Sequence, residues 1–274
     1  MIAFPHCKIN LGLSIVAKRA DGYHELETIF YPVALQDMVE IVHSDQTATD
    51  IQFTHTGLAI PGDESNNLCI KAYHLLKKDF PSIPAVKMHL HKHIPMGAGL
   101  GGGSSDGSAV LKLLNQQFNL GLSVTQLVAY AAQLGSDCPF FIYDNACHAT
   151  GRGEILSPIL CNLSDYTIAL VHPGIHISTA WAFGQLTPGP KEKSVASIVT
   201  QPIETWKEAL INDFEAPIFK AHPLLAEIKS QLYQQGAIYA SMSGSGSSIF
   251  GIFPKGNHPT NCSFDPSIRV DLIK

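Results

Sequence analysis

A chain of 274 residues with 45% hydrophobic and 15% charged residues carries enough apolar material for a large core and one or two domains. Its net charge of −5 argues against a duplex-binding surface, and no apolar run reaches the length needed to cross a bilayer. The six cysteines (Cys7, Cys69, Cys138, Cys147, Cys161 and Cys262) form no C-x-x-C pair. With no secretory leader in view, reduced thiols in the cytoplasm are expected.

Met1–Val16 alternates as a strand, with Lys8 and Asn10 on one face and Ile9, Leu11 and Leu13 on the other. Taken alone, the segment favours an ordinary solvated face for Lys8 and Asn10 over a cation and an amide aimed into a cleft. Asp21-Gly22 signals a hairpin turn. Tyr23 and His24 follow it and suit either stacking on a flat ligand or the start of a half-buried strand over His24–Pro32. Asp37–Val42 and Ile51–Thr56 read as further strands of one meander. Asn67 caps a helix over Leu68–Asp79 that stops before Pro81. Val86–Ile94 is a strand with His89, His91 and His93 on one face and Met88, Leu90 and Ile94 on the other. No carboxylate or cysteine joins the histidines, so a solvated face outweighs a metal site.

Next comes Pro95-Met96-Gly97-Ala98-Gly99-Leu100-Gly101-Gly102-Gly103-Ser104-Ser105, which runs straight into an amphipathic helix over Ser105–Phe118. Glycine at this density removes the Cβ atoms that would hold the backbone off a bound group and frees successive N–H groups for one anion. The helix N-terminus adds its own unpaired N–H groups and partial positive charge. A cradle for a phosphate chain follows. Gly97, Gly99 and Gly102 satisfy G-x-G-x-x-G, but the segment before them alternates and no acid stands about 20 residues further on. Gly103 occupies the place of the P-loop lysine. The match of Gly103–Gly107 to a hydrolase elbow lacks the strand that must directly precede it. A flexible linker would not run into an amphipathic helix.

Ser123 and Gly135 bracket a helix over Ser123–Leu134. Ser136-Asp137-Cys138-Pro139 then starts a helical turn into Phe140–Tyr143. Asp137 suits a plain N-cap, or, among such apolar flanks, a buried functional acid that needs a partner. Cys147–Gly153 is a strand and turn and Tyr166–His172 a buried strand, with a domain change near Asn162–Ser164 that divides 1–162 from 163–274. Ser178 or Thr179 caps a helix that begins near Ile177, and short helices follow over Thr205–Leu210, Phe214–Lys220 and His222–Gln235. Ser241–Ser248 is a second glycine–serine stretch between short strands. Alone it reads as a loose turn; beside the first glycine loop it reads as a second wall of the same site.

Cys7–Leu13, Pro95–Asp106 and Ser241–Ser248 resemble, in order and content, the three motifs of the GHMP small-molecule kinases. Arg19-Ala20-Asp21-Gly22-Tyr23-His24, Leu134-Gly135-Ser136-Asp137-Cys138-Pro139 and Gly151-Arg152-Gly153-Glu154 narrow the resemblance to one family, the 4-diphosphocytidyl-2-C-methyl-D-erythritol kinases of the non-mevalonate isoprenoid route. It extends to about Phe253 and departs at Gly107, where the family often has alanine, and in the serine-rich third motif.

The resemblance implies an α+β fold, with an N-terminal domain like ribosomal protein S5 domain 2 and a ferredoxin-like C-terminal domain. It implies ATP with its phosphates on Pro95, Met96, Gly97, Ala98, Gly99, Leu100, Gly101, Gly102, Gly103, Ser104 and Ser105, and Asn67 near the nucleotide. Asp137 would take the proton of the acceptor's 2-hydroxyl and Lys8 would contact both substrates. Tyr23 and Phe183 would sandwich a cytosine whose edge His24 reads. Asn10, Thr179, Gly244, Ser245 and Gly246 would line the acceptor site. An aspartate is a weak base for an alcohol, and a neighbouring ammonium offsets this by stabilising the forming alkoxide. Mg²⁺ would neutralise the β and γ oxygens, its protein ligands being unassigned. The implied partners are small molecules, with no nucleic acid, no membrane and no obligate protein partner. Two competing readings are a GHMP kinase for another alcohol, such as homoserine or mevalonate, and a nucleotide-sensing or RNA-binding module. The Asp-Gly-Tyr-His stretch speaks against the first. The acidic charge, and the presence of both Lys8 and Asp137, speak against the second.

Overall fold

Alternation predicts a single strand over Met1–Val16, but the chain breaks it at Phe4-Pro5 into β1 (Ile2–Ala3) and β2 (His6–Lys18), which join different sheets. Proline brings no N–H to a ladder. The computed structural model describes residues 1–45, 50–259, 264–265 and 267–273, so Cys262 lies outside the described residues. The remaining strands are β3 (His24–Gln36), β4 (Met38–His43), β5 (Ile51–Gly57), β6 (Val86–Lys92), β7 (Cys147–Thr150), β8 (Ile155–Pro158), β9 (Tyr166–His172), β10 (Tyr239–Met242), β11 (Ile249–Pro254) and β12 (Arg269–Ile273). The α-helices are α1 (Leu68–Asp79), α2 (Gly102–Gln117), α3 (Val124–Leu134), α4 (Phe140–Tyr143), α5 (Thr179–Gly184), α6 (Val195–Val199), α7 (Trp206–Ala209), α8 (Glu215–Ala221) and α9 (Pro223–Gln234). The architecture is α+β, in two compact units.

The first unit comprises Met1–Cys7, Ala34–Met96 and Gly101–Asp144. Its sheet has the order β1-β4-β6-β5, with β4 antiparallel and β5 parallel to β6. The expected meander is therefore wrong for β5. A parallel neighbour needs a crossover, and α1 provides it between β5 and β6. Asn67 accepts the N–H of Cys69 at 2.9 Å and caps α1 as expected, while Ser123 and Gln126 form a reciprocal capping box on α3. α2 begins at Gly102 rather than Ser105, so the glycines make up its first turn. Val110, Leu111, Leu113 and Leu114 of α2 pack with Val39, Ile41, Tyr73, Leu76, Met88 and Leu90. Each such buried side chain contributes about 1.5–3 kcal/mol.

The second unit comprises Lys8–Val33, Gly97–Leu100 and Asn145–Lys274. One of its sheets is antiparallel throughout in the order β10-β11-β9-β12, and the chain beyond Pro254 returns as the strand beside β9. Ile218 of α8 and Leu225, Ile228 and Leu232 of α9 form a core with Ala169, Val171, Ile249 and Phe253 of that sheet. The other sheet has the order β2-β3-β7-β8. Among the described residues Cys7, Cys69, Cys138, Cys147 and Cys161 are in no disulfide, and no helix is long and apolar enough to cross a membrane.

Strand β6 alternates buried and solvent-facing residues, and its buried side reads Val86, Met88, Leu90, Lys92. The histidines take the other side: His91 and His93 are exposed, and His89 and His91 hydrogen-bond to Thr54 and Thr56 of β5. No cluster of three metal-ligating side chains occurs among the described residues. Lys92 is only 1% exposed. Its ammonium donates to Asp106 of α2 at 2.7 Å and to Asp37. Asp37 also accepts the backbone N–H groups of His93 at 2.5 Å and Ile94 at 2.8 Å. Burial alone would lower the Lys92 pKa, but Asp106 and Asp37 outweigh it and the net shift is upward.

Asp106 carries the cost of this arrangement. Burial, opposed by Lys92 and reinforced by Asp37, pushes its carboxyl up to about 7. Its Oδ1 is buried with no hydrogen-bond partner among the described residues, a poor place for a full charge. A carboxyl whose folded pKa lies above its unfolded value of 3.8 keeps a proton that the unfolded chain has released. Its stabilising contribution is full below about pH 4 and is lost as pH rises through about 7. Chemical unfolding of the protein should therefore give a midpoint that declines from about pH 5 to about pH 7. Asp106→Asn, equal in shape and unable to titrate, should lose that part of the decline; an equal decline in both proteins would refute the assignment.

Candidate active site

In the first unit, Gly101 precedes α2 without any side-chain cap, which leaves the first-turn N–H groups of Gly102, Gly103 and Ser104 uncovered by a cap. A cavity of about 340 Å³ adjoins them, lined on one side by Met96, Gly103, Lys92 and Asp106 and on the other by Asn66, Asn67 and the apolar Phe53, Ile60 and Leu90. A small-molecule site has this character: mostly apolar walls and a few polar groups. Asn67 thus caps α1 and lines the cavity at once.

Asp137 lies on the turn before α4. Ser108 of α2 donates to the Cys138 carbonyl at 2.8 Å, which fixes this turn against the glycine-led helix. The Cys138 thiol is pushed up to about 11, chiefly by burial, with the Asp137 charge adding and hydrogen bonds from Ser104 and Ser108 opposing. Asp137 itself is half-buried. The expectation of a buried acid is corrected to that extent: its apolar neighbours Cys138, Phe140 and Phe141 are buried, and Asp137 is not.

In the second unit, Lys8 is 4% and Asn10 1% exposed, so the solvated face expected for them is wrong. Both faces of β2 are covered, because Ile9, Leu11 and Leu13 are buried too. The Lys8 ammonium donates to Asn10 Oδ1 at 2.6 Å and lies 4.9 Å from the centre of the Phe30 ring. Its backbone N–H donates to the Leu100 carbonyl at 2.9 Å, which ties β2 to the glycine-rich segment.

The stretch Ser241–Ser248 is no loose turn. Ser241, Ser243, Ser247 and Ser248 are all buried. Ser243 donates to the Gly99 carbonyl at 2.8 Å, and the Ser248 N–H donates to the Ala98 carbonyl at 3.2 Å. Two buried side chains far away in sequence hold this stretch. Asn212 donates to the Met242 and Gly244 carbonyls at 2.7 and 2.9 Å. Glu215 accepts the Met242 N–H at 2.8 Å and is neutralised by Lys229 at 2.6 Å. Thr179 and Ser245 hydroxyls lie 3.3 Å apart. Gly244 approaches Gly99 closely, and Gly246 packs against Met242 and Ile177.

His24 stacks on Phe183 with ring centres 5.0 Å apart and planes 22° from parallel, while Phe214 closes on Phe183 edge-on. Tyr23 is 56% exposed, with the Arg152 guanidinium 4.9 Å from its ring centre. The structure therefore brings Lys8, Asn10, Gly97–Leu100 and Gly244 together, and separately His24 with Phe183. Sequence reasoning missed Lys92, Asp37, Asn212, Glu215 and Thr28, and gave Asp106 and Ser243 no separate role within their motifs. Lys92 had a visible signal, since it continues the period-two apolar face of Val86, Met88 and Leu90. Asn212 and Glu215 had none, because their partners are backbone groups about 30 residues away.

The profile described as GHMP kinases N terminal domain matches residues 67–145, and that of GHMP kinases C terminal matches 195–262. A Bacteroides thetaiotaomicron 4-diphosphocytidyl-2-C-methyl-D-erythritol kinase is 52% identical over 260 residues, 94% of each chain. A Cytophaga hutchinsonii protein of the same name is 48% identical over 92% of each. Among solved structures, a 4-(cytidine 5'-diphospho)-2C-methyl-D-erythritol kinase superposes with a TM-score of 0.79 at 32% identity, covering 92% of this chain and 90% of that one. The Methanococcus jannaschii mevalonate kinase shares the fold, with a TM-score of 0.70 at 15% identity over 99% and 97% of the two chains.

The glycines separate packing from ligand room. A Cβ on Gly99, whose φ is +79°, would sit 2.0 Å from the Ser243 carbonyl oxygen. A Cβ on Gly103 meets nothing within 4 Å. Gly99→Ala should cost more than about 1 kcal/mol in urea unfolding. Gly103→Ala should leave stability unchanged or raise it by up to about 1 kcal/mol, as alanine in a helix does. The reverse order would contradict this packing.

Proposed function

The chain belongs to the 4-diphosphocytidyl-2-C-methyl-D-erythritol kinases, a family of GHMP kinases, and from that premise we propose that it transfers the γ-phosphoryl group of ATP to the 2-hydroxyl of 4-diphosphocytidyl-2-C-methyl-D-erythritol. The products are the 2-phosphate and ADP, and the step serves non-mevalonate isoprenoid precursor synthesis. One observation of the structure carries most weight. A lysine buried on β2 is bonded through its own backbone to the segment Gly97–Leu100, so a fixed cation accompanies a glycine-rich backbone. Phosphoryl transfer is catalysed mainly by positioning and charge compensation, and these are the parts it requires.

Within this proposal ATP lays its phosphates on Pro95–Ser105, with the nucleoside in the cavity beside Asn67. The uncapped start of α2 offers N–H groups to the phosphate oxygens. Mg²⁺, when bound with the nucleotide, would neutralise charge on its phosphates. Asp137, half-buried on the turn before α4, takes the proton of the 2-hydroxyl. Lys8 offsets charge on the transferred group and on the forming alkoxide. Phe183 presents a face on which His24 now lies almost parallel, evidence that a flat ring fits there. A cytosine between Tyr23 and Phe183 takes that surface in place of the His24 ring, which moves aside to read its edge, while Asn10, Thr179 and Gly244–Gly246 line the acceptor. The free cysteines suit a reducing compartment, and the cytoplasm is the proposed location.

Release of ADP with each alcohol in turn tests the substrate. The cytidyl alcohol should be preferred over homoserine and mevalonate, and Tyr23→Ala should raise its KM at least about tenfold with the KM for ATP little changed, as loss of one stacking contact worth about 1–3 kcal/mol requires. A preference for another alcohol would overturn the assignment. Asp137→Asn should lower kcat by at least about a hundredfold while ATP still binds by calorimetry; full turnover in that variant would remove Asp137 from the role of base.

A further inference from the structure

Thr28 lies on β3, wholly buried, and belongs to no motif of the sequence. The Asn10 amide nitrogen donates to its hydroxyl at 3.0 Å, and the hydroxyl donates to the Gly12 carbonyl at 2.5 Å. With the Lys8–Asn10 bond of 2.6 Å, these links make one continuous chain, Lys8 to Asn10 to Thr28 to Gly12. Chemistry fixes its direction. An ammonium has only protons to give, so the Asn10 atom facing it is the amide oxygen. The amide nitrogen then faces Thr28 and must donate, so the hydroxyl must accept. The hydroxyl's own proton goes to a carbonyl, which can only accept.

The far end is rigid. Gly12 has φ +66°, and a Cβ there would lie 2.6 Å from Leu210 Cδ1, so the carbonyl is turned by a left-handed backbone that favours glycine. The near end is the one cation of the chain, 4% exposed. The Asn10 backbone is held separately, its N–H donating to Ser243 Oγ at 3.3 Å. The amide oxygen takes the Lys8 ammonium and lies 3.4 Å from Ser243 Oγ, and Thr28 supplies the acceptor for the amide nitrogen.

We propose that Thr28 is a positioning residue for Lys8: its hydroxyl locks the Asn10 amide in the one orientation that presents an oxygen to the ammonium. The inference rests on the proposed role of Lys8 at the transferred phosphoryl group. Without the hydroxyl the amide nitrogen loses its acceptor, and the amide that turns to find another carries its oxygen off the ammonium, so Lys8 loses its anchor.

The test compares Thr28→Val with Thr28→Ser. Valine keeps the shape and loses the hydroxyl; serine keeps the hydroxyl and loses a methyl group. Thr28→Val should lower kcat about tenfold to a hundredfold, the effect of misplacing a catalytic group by about 1 Å, with the KM for ATP within about twofold, and Thr28→Ser should stay within about threefold of the parent kcat. Thermal melting identifies the folded fraction to which each rate is referred. In an Asn10→Ala background, Thr28→Val should have no further effect on kcat, because Thr28 acts through that amide. Parent-like kcat in Thr28→Val, an equal loss in Thr28→Ser, or additive losses with Asn10→Ala would each overturn the proposal. If Thr28→Val does not fold, Thr28→Ala against Thr28→Ser decides by the same criteria. Failure of the substrate assignment would show separately, as absence of turnover of the cytidyl alcohol by the parent protein; the same variants are then compared on whichever alcohol it phosphorylates.

Discussion

A lysine occupies the end of a core face, and the first unit is arranged around holding it. Removing an ammonium from water costs several kcal/mol, and two carboxylates do little more than offset that. Asp37–Lys92–Asp106 therefore adds little net stability compared with an apolar trio of the same volume. What it adds is registry. Asp37 binds the ammonium with one oxygen and the N–H groups of His93 and Ile94 with the other, so β6 can end only there. Asp106 sits one turn into α2, so the helix can start in only one place relative to that strand end. A Cβ on Gly102 would come 3.0 Å from the Lys92 nitrogen, which explains why the helix opens on a glycine even where no ligand touches it.

The second unit solves the same problem with different chemistry. Ser241–Ser248 could wander, being small and polar, yet its backbone is caught from below by Asn212 and Glu215 and from the side by Ser243 on Gly99. Each of these side chains satisfies main-chain groups that a buried loop would otherwise leave unpaired. Both glycine-rich segments owe their shape to single polar side chains distant in sequence. The glycines make close approach possible; the buried Asp, Asn and Glu determine where it occurs.

Much of this was legible in the sequence where the cause is local. The Asn67 and Ser123 caps, the end of α1 before Pro81, and the glycine lead into α2 all follow from neighbours within a few residues. The solvated histidine face of β6 follows from alternation. Burial of Lys8 and Asn10 was not legible, because period two shows which residues share a face and not whether a second layer covers it. The parallel pairing of β5 escaped for a related reason: a short strand of alternating residues carries no sign of the direction of its neighbour. Asp137 was singled out as a buried acid from its apolar flanks, but Cys138, Phe140 and Phe141 are buried while Asp137 is only half-buried. Lys92 was the avoidable omission, since a lysine in line with Val86, Met88 and Leu90 already called for a buried counter-charge.

The pairing order of β9 bears on how the chain is made. Its two partners, β11 and β12, both follow it in the sequence, whereas β1, β4, β5 and β6 are all complete once Lys92 has been added. On a ribosome the sheet of the first unit can close early, while β9, almost wholly apolar, emerges with no strand to pair with and waits through the synthesis of α5 to α9. During that interval Ile168, Leu170 and Val171 form an unpaired sticky edge. The nascent chain is thus most exposed to aggregation, and most in need of a chaperone, in the stretch between Tyr166 and the arrival of Ile249.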